Sequence, residues 1–239
     1  MDAEKIKTCL KNNGIPFRDD LPEKLYVYFS LLQEWNSRMD LTAVTNEDET
    51  LDKHFIDSLT VLKTGLFEKR GKTIDVGTGA GFPGMVLAMA CPETHISLLD
   101  SQKKRLIFLE KISMEADVRN VSIIHARAED GARKPELREQ FDYAVARALA
   151  PTNILCEYLL PYVKVGGCAL CWKGPALRDE LESGRKAANL LGGRLEMPVP
   201  CEVTGRDWKH LILPVRKLQH TAAVYPRKAG IPKSKPLGF

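Results

Sequence analysis

The chain has 239 residues, of which 44% are hydrophobic, and a formal net charge of +4, which suits one globular domain with its own core and a sizeable extension. No run of eighteen apolar residues is present, the first residues lack the basic and apolar stretches of a secretion signal, and six scattered cysteines are too few for a disulfide framework. We therefore expect a monomeric, cytoplasmic protein with reduced thiols and no membrane span.

The first seventy residues show helical periodicity. Pro22 is well placed to open a helix, and apolar residues then recur at helical spacing, namely Leu25, Phe29, Leu32 and Trp35. A second helix is predicted over residues 50–62, with its apolar residues on one face. Residues 1–70 are therefore expected to form a helical extension packed on the core.

From Lys72 onward, short apolar runs alternate with amphipathic segments. The predicted strands are residues 73–76, 96–99, 121–124, 143–146 and 168–172, and the predicted helices are residues 85–90, 105–112, 154–162 and 177–191. This alternation, with strands too apolar to leave one face in water, predicts an α/β fold with a mostly parallel sheet. Two late strands, residues 195–203 and 208–215, are expected to form a hairpin that completes a core domain over residues 71–217.

The C-terminal segment is basic and contains several prolines. From Arg206 onward, eight Lys and Arg residues stand against the single Asp207. Pro226, Pro232 and Pro236 exclude a long regular element, so residues 218–239 are expected to form a loop or an ordered arm. The charge suits a polyanion such as nucleic acid, and it suits a solvated basic tail equally well.

Three glycines at alternate positions, Gly77, Gly79 and Gly81, follow the first predicted strand. They permit a tight turn and a close approach of the backbone to a ligand. The second predicted strand ends at Asp100, where a carboxylate can accept hydrogen bonds from both hydroxyls of a ribose. Because ligands of open α/β sheets bind beyond the carboxyl ends of the strands, loop and acid together indicate a nucleotide-type site.

The spacing of the glycines helps to separate two classes of cofactor. Dinucleotide sites favour Gly-x-Gly-x-x-Gly, with a pyrophosphate at the N-terminus of a helix. Here the spacing is Gly-x-Gly-x-Gly, and Asp75 precedes it. An anion would repel a pyrophosphate but attract the cationic groups of S-adenosylmethionine (SAM), so SAM is favoured over NAD. A glycine turn without a ligand remains the alternative.

Charged residues also follow the later strands. Glu129 is placed to accept a hydrogen bond from an adenine amino group, or it is an ordinary solvated side chain. Arg147 stands at the mouth of the same crevice, or it forms a salt bridge to Asp142 or Glu129. Lys173 could reach a phosphate, or it could cap the sheet.

Other motifs in the chain carry less weight. Cys168 and Cys171 have redox or zinc spacing but fall inside a predicted strand, where residues three apart point to opposite faces, and no second pair completes a zinc site. Cys201 after Pro200 is expected to be a buried structural cysteine. The five histidines show no metal-binding spacing, and neither a Walker loop nor a nucleophile elbow is present. We therefore expect no metal and no hydrolase chemistry.

Several signatures together resemble one family, the ribosomal RNA small subunit methyltransferase G family, also called glucose-inhibited division protein B. They include Trp35-Asn36, His54 with Asp57-Ser58-Leu59, Gly79-Ala80-Gly81-Phe82-Pro83-Gly84, Asp100-Ser101, Arg127-Ala128-Glu129, Arg147-Ala148, Lys173-Gly174 and Tyr225-Pro226-Arg227. The resemblance covers nearly the whole chain. Two positions depart from the family pattern, Asp40 in place of the usual Asn and Thr78 in place of Ser or Ala.

The resemblance implies a Rossmann-like, SAM-dependent enzyme that methylates nitrogen 7 of one guanine in the 530 loop of 16S ribosomal RNA. The cofactor-binding residues are then expected to be Gly77, Gly79, Gly81, Phe82, Asp100, Ser101, Ala128, Glu129 and Arg147. Lys173, Arg227 and Lys228 are expected to contact the RNA. No catalytic base is expected, because nitrogen 7 has a free lone pair and no proton. A non-catalytic RNA-binding protein with a relic SAM site, and a nicotinamide-dependent oxidoreductase, are the alternatives.

Overall fold

The computed structural model describes residues 1–208 and 210–238 of the chain. In this part of the chain one sheet contains eight strands: β1 (Gly71–Val76), β2 (Thr94–Asp100), β3 (Val121–His125), β4 (Phe141–Arg147), β5 (Val163–Lys173), β6 (Gly193–Leu195), β7 (Val199–Pro200) and β8 (Leu211–Lys217). The strand order is β3-β2-β1-β4-β5-β8-β6, and β7 also pairs with β8. Strands β1 to β5 are parallel, whereas β8 is antiparallel to its neighbours.

The helices lie before the sheet, between its strands and near the C-terminus. They are α1 (Ala3–Asn12), α2 (Leu21–Met39), α3 (Glu47–Thr50), α4 (Asp57–Leu59), α5 (Gly84–Ala90), α6 (Lys103–Glu115), α7 (Ala128–Gly131), α8 (Thr152–Leu159), α9 (Leu177–Leu190) and α10 (Ile231–Ser234). A π-helical turn, Leu51–Ile56, joins α3 to α4, and 3-10 turns follow at Thr60–Lys63 and Leu160–Tyr162.

The predicted α/β fold with a mostly parallel sheet is confirmed. The order of the strands reverses between β1 and β4, and this is the point at which such sheets bind ligands. The late antiparallel strands are also present, although the single strand predicted over residues 195–203 is divided into β6 and β7. Pro198 lies in the gap, where its missing N–H cannot contribute to a strand ladder. Lys209, inside the other predicted late strand, lies outside the described residues.

The N-terminal helices pack on one face of the sheet, where α2 contacts α5 and α6. The buried side of α2 includes Leu25 and Leu32 as expected, but the fully buried aromatic residue is Tyr28 rather than Phe29. The second predicted helix is divided into short helical segments around the π turn, which widens the helix at Lys53 and His54. Asp40 ends α2 in the left-handed region, with φ 48°, a conformation in which Asn and Asp are both enriched.

After β8, residues 218–238 form an ordered arm along the protein. The Arg138 guanidinium donates to the carbonyl oxygens of Thr221 and Tyr225, each at 2.8 Å, and Asn153 donates to that of Leu237 at 2.9 Å. No helix in residues 1–208 and 210–238 is long and apolar enough to cross a membrane. Cys168 and Cys171 belong to apolar clusters on opposite faces of the sheet, as their spacing predicts.

Candidate functional site

The glycine loop after β1 is held by the neighbouring strand. The N–H groups of Gly77 and Thr78 both donate to the carbonyl oxygen of Leu99, at 2.8 and 3.0 Å. Gly77 has φ 71°, and a Cβ there would lie 2.7 Å from a methyl carbon of Leu149. Gly81 has φ 102°, and its Cβ would collide with the Tyr28 hydroxyl. Gly77 therefore permits an approach from the ligand side, whereas Gly81 permits the packing of α2.

Two carboxylates fix the shape of this loop. Asp75 is fully buried, and its Oδ2 accepts from Thr78 Oγ1 at 2.7 Å and from the N–H of Gly84 at 2.8 Å. Burial raises the pKa of Asp75 to about 6. Asp100 accepts from the N–H groups of Gly79 and Gln102, at 2.9 and 2.8 Å. Asp75 thus supports the loop through Oδ2, while its buried Oδ1 has no hydrogen-bond partner among the described residues. Asp100 holds the loop from its open side.

A cavity of about 330 Å³ lies beyond the carboxyl ends of β1, β2 and β3, and we call it the β1–β3 cavity. Asp100 and Glu129 are 3% and 5% exposed, so the carboxylates that line it are largely withdrawn from bulk water. Its lining comprises Gly77, Leu99, Asp100, Ser101, Gln102, Arg105, Ala126, Arg127, Ala128, Glu129, Leu149, Tyr158, Gly230 and Lys233.

The C-terminal arm forms one wall of the β1–β3 cavity. Gly230 donates its N–H to Oε1 of Glu129 at 2.8 Å, and Lys233 also lines the cavity. The arm is anchored nearby, where the guanidinium of Arg227 contacts Oε2 of Glu157 at 2.6 Å. The Glu157 side chain is 1% exposed, so this is a buried ion pair. The arm therefore belongs to the structure of the site.

A second cavity of about 340 Å³ lies at the ends of β4 and β5, and we call it the β4–β5 cavity. It combines aromatic side chains with cations and one carboxylate. Its lining comprises Lys53, His54, Asp57, Arg147, Ala148, Trp172, Lys173, Gly174, Trp208 and His210. The segment after β4 lies between the two cavities, because Ala148 lines the second and Leu149 lines the first.

Arg147 is held on several sides in the β4–β5 cavity. Its Nη1 donates to Asp57 Oδ2 at 3.1 Å and to the carbonyl oxygen of Lys53 at 2.5 Å, and its Nη2 lies 3.0 Å from His54 Nδ1. The guanidinium also lies over the Phe82 ring, 5.1 Å from its centroid. The side chain is 15% exposed and that of Asp57 is 2% exposed. Arg147 is therefore fixed in place by residues from the N-terminal segment and the glycine loop.

His54 is neutral in this arrangement. Burial, and then the charge of Arg147, lower its pKa to about 3. Because Arg147 can only donate, His54 Nδ1 accepts, and its Nε2–H then donates to Thr42 Oγ1 at 2.8 Å. The His54 ring also stacks on Phe82, with centroids 4.4 Å apart. The cluster formed by Arg147, Asp57 and His54 therefore contains one positive and one negative charge, those of Arg147 and Asp57.

Comparisons with known proteins show the family of this chain. A profile of the family described as rRNA small subunit methyltransferase G matches residues 22–208. Proteins named ribosomal RNA small subunit methyltransferase G from Clostridium tetani and Alkaliphilus oremlandii are each 43% identical, over 97% and 98% of this chain and 97% and 99% of their own lengths. The chain belongs to the rRNA small subunit methyltransferase G family.

Solved structures resemble this methyltransferase G family member in fold alone. The M. jannaschii TYW2 structure, solved in complex with AdoMet, has a TM-score of 0.54 at 13% identity, covering 74% of this chain and 78% of that one. The YcgJ protein of Bacillus subtilis has a TM-score of 0.51 at 12% identity, covering 70% of this chain and all of that one. Both likenesses support the Rossmann-like fold.

The residues that the methyltransferase G resemblance assigned to a cofactor fall into two groups. Gly77, Asp100, Ser101, Ala128 and Glu129 line the β1–β3 cavity. The other four lie elsewhere: Gly79 in the loop backbone, Gly81 against Tyr28, Phe82 in the aromatic stack, and Arg147 in the β4–β5 cavity. Neither Asp142 nor Glu129 is the partner of Arg147, because β4 carries its guanidinium toward Asp57 instead.

Two of the three residues expected to contact RNA are engaged within the protein. Lys173 Nζ contacts Glu180 Oε2 at 2.5 Å, and its side chain is 8% exposed. Arg227 is paired with Glu157, and its side chain is 22% exposed. That these two residues contact RNA stays a prediction. Lys228 is exposed.

Part of the basic charge from Arg206 onward is thus neutralised within the protein. Among the described residues of this segment, four basic side chains form ion pairs: Arg206 with Asp52, Arg216 with Glu196, Lys217 with Glu139, and Arg227 with Glu157. A count of charges along the sequence could not show this pairing.

Sequence reasoning missed part of the β4–β5 cavity. His54 and Asp57 entered only as family signatures without a role, while Trp172, Trp208 and His210 were not singled out. The position of Trp172 at the end of a predicted strand was the available signal, since ligands bind at strand ends. Within residues 1–208 and 210–238, no group of three or more His, Cys, Asp and Glu side chains is placed to hold a metal ion.

Proposed function

We propose that this chain transfers a methyl group from SAM to nitrogen 7 of a guanine in the 530 loop of 16S ribosomal RNA. Its family membership supports a ribosomal RNA substrate. The observation that carries the proposal is the pair of cavities on either side of the segment after β4. One is lined by the buried carboxylates of Asp100 and Glu129 together with three cationic side chains, and the other by aromatic side chains, cations and the carboxylate of Asp57. Such a pair suits a nucleoside cofactor beside a nucleobase.

The residues of the β1–β3 cavity fit SAM. Its volume of about 330 Å³ is at the lower end of the range for small-molecule sites. Asp100 would accept from the ribose hydroxyls, Glu129 from the adenine amino group, and the backbone at Gly77 permits close approach. Ser101 and Ala128 would complete the wall. When bound, SAM supplies a methyl group on a positively charged sulfur, which makes that methyl electrophilic.

The chain's own residues then bind and position the substrates and balance the charge. Nitrogen 7 of guanine has a lone pair and no proton, so no side chain needs to act as a base. The guanine gains positive charge as it accepts the methyl group. Asp57 neutralises Arg147 at 3.1 Å, and the low pKa of His54 keeps that ring uncharged. The cluster therefore does not repel a base that becomes cationic, and catalysis consists of positioning.

The proposal also covers contact with RNA, the location and oligomeric state of the enzyme, and its domains. Lys228 is proposed to contact RNA phosphate from the exposed side of the arm. We place the enzyme in the cytoplasm as a monomer, with a helical extension (1–70), a SAM-binding domain (71–217) and a C-terminal arm (218–239).

The proposal is tested with small ribosomal subunits and naked 16S RNA from a strain that lacks the gene. Both are incubated with the protein and SAM carrying a labelled methyl group, and 7-methylguanosine is located by reduction and aniline cleavage. We expect one labelled guanine in the 530 loop. Label on a cytosine or on protein would refute the substrate. A parallel titration with SAM that showed no saturable binding below millimolar would instead support a non-catalytic RNA-binding protein.

A further inference from the structure

We propose that the β4–β5 cavity receives the target base, that this base stacks on Trp208, and that His210 selects guanine through the edge of its ring. The proposal deepens the function proposed above and rests on it. Trp208 and His210 lie on the segment directly before β8, far along the chain from the glycine loop.

The aromatic content of the cavity suits a nucleobase. The rings of Trp208 and His210 are stacked, with centroids 5.5 Å apart and planes inclined by 30°. Trp172 is held at the end of β5, because its Nε1–H donates to the carbonyl oxygen of Asp57 at 3.1 Å. Proteins that bind unpaired RNA bases stack them on such side chains. The cavity therefore offers fixed aromatic surfaces to one unstacked base.

Two cationic side chains lie beside the Trp208 ring. Lys53 Nζ lies 5.6 Å and Arg206 Cζ lies 5.4 Å from the centroid of the Trp208 ring. Trp208 is half-buried, and both cations belong to residues that reach the surface. Both cations also pair with carboxylates, Lys53 with Glu49 and Arg206 with Asp52. The aromatic stacking surface, and not net positive charge, therefore favours a nucleobase as the occupant of the cavity.

His210 has the geometry to recognise guanine. Its Nδ1 lies 2.8 Å from Oδ1 of Asp57, and since that carboxylate accepts, Nδ1 carries the proton. In the neutral ring Nε2 is then an acceptor on the opposite side of the imidazole. The Watson–Crick edge of guanine presents N–H donors, and the N1 of adenine in the same position is an acceptor. An acceptor at Nε2 therefore favours guanine and leaves the opposite edge, with nitrogen 7, unoccupied.

The position of the β4–β5 cavity, beside the β1–β3 cavity, also suits a base that receives a methyl group from SAM. Ala148 and Leu149 are consecutive residues that line the β4–β5 and β1–β3 cavities respectively. A base in the first cavity and a cofactor in the second would both contact this segment. Ala148 has φ 52°, a conformation that few non-glycine residues adopt. The chain thus turns sharply between the two cavities, which brings them side by side.

Tryptophan fluorescence tests the pocket without relying on methyl transfer. Guanosine 5′-monophosphate is titrated into Trp35→Phe/Trp172→Phe, in which Trp208 is the remaining tryptophan. The matched control is Trp172→Phe/Trp208→Phe, in which the remaining Trp35 packs against Phe108 away from the cavity. We expect saturable quenching in the first variant and none in the control. Absence of quenching in the first variant overturns the assignment of Trp208 as the stacking surface.

Methyl transfer provides the second measurement. Trp208→Ala should lower kcat/KM for ribosomal RNA roughly 5- to 150-fold, as for loss of one stacked base, while SAM affinity stays within about twofold of wild type. Trp208→Phe should recover most of the activity because it keeps an aromatic face. His210→Phe should keep quenching by guanosine monophosphate but reduce its preference over adenosine monophosphate. Full activity in Trp208→Ala would refute the pocket even if the RNA methylation itself is correct, whereas normal quenching without methylation would refute only the function proposed above.

Discussion

The guanidinium Nη1 of Arg147 lies 3.1 Å from Oδ2 of Asp57, a carboxylate 90 residues earlier in the chain. Asp57 begins α4, directly after the π-helical turn, and Arg147 is the last residue of β4. The contact therefore joins the N-terminal helices to the point where the order of the strands reverses. Asp57 also accepts from His210 at 2.8 Å, so one buried carboxylate organises most of the β4–β5 cavity.

Asp57→Asn should destabilise the protein by about 3 to 5 kcal/mol, because it leaves the buried charge of Arg147 without its carboxylate partner. Adding Arg147→Met to this variant should recover part of the loss, since replacement of both partners by uncharged groups removes that penalty. Urea unfolding gives the free energies for the complete double-mutant cycle.

Glu115→Ala is the control for this cycle. It breaks an ion pair with Lys111 whose side chains are 44% and 48% exposed, and it should cost less than about 1 kcal/mol. Additive effects of Asp57→Asn and Arg147→Met would contradict the coupling.

Asp100→Ala should weaken SAM binding by roughly 1 to 3 kcal/mol, through the lost ribose hydrogen bonds and the loosened loop. The loop would loosen because Asp100 also accepts hydrogen bonds from the N–H groups of Gly79 and Gln102. Isothermal titration calorimetry measures the affinity, with the exposed Asp117→Ala as the control. Unchanged affinity in Asp100→Ala would remove this residue from the site.

Arg227→Ala should lower stability and SAM affinity together, and not RNA affinity alone. Glu157 is fully buried and would lose its guanidinium partner, which costs about 3 to 5 kcal/mol in comparable buried pairs. The freed arm would then no longer hold Gly230 against Glu129 in the β1–β3 cavity.

Lys228→Ala is the matched control for the arm, since Lys228 is the exposed neighbour of Arg227. It should leave SAM affinity unchanged and reduce the salt dependence of RNA binding. If Arg227→Ala reduced only RNA affinity, the anchoring role would be refuted.

Stability should fall in mild acid because of His54. Its pKa is about 3 in the folded protein against an ordinary value of 6.5, so between these values the unfolded chain binds a proton that the folded chain excludes. The contribution of His54 is then fully present above about pH 6.5 and is lost as the pH falls. Between about pH 7.5 and about pH 5 the free energy of unfolding should therefore fall by at most about 2 kcal/mol through His54.

Urea unfolding at both pH values measures this loss in the wild type and in His54→Gln, which cannot take up the proton. The fall in stability should be smaller in the variant by that amount. An equally steep fall in both proteins would show that His54 is not the group responsible.

The sequence by itself determined the order of helices and strands, the late antiparallel strands, and the placing of Gly77 and Asp100 at strand ends. These features depend on local patterns, because alternation of apolar runs and turn residues is repeated within each few residues of chain. The family signatures were equally local, and the comparisons confirm the family they indicated. Even the departure at Asp40 has a local cause in the left-handed end of α2.

Only the tertiary structure decided which charges meet. Arg147 pairs with Asp57, Lys173 with Glu180 and Arg227 with Glu157. The last two pairs involve residues that are expected to contact RNA. Spacing along the chain says nothing about such partners, since the ion pairs form between elements that packing of the sheet and helices brings together. For the same reason Trp208 and His210 became candidates for the base pocket only when the fold placed them beside Asp57.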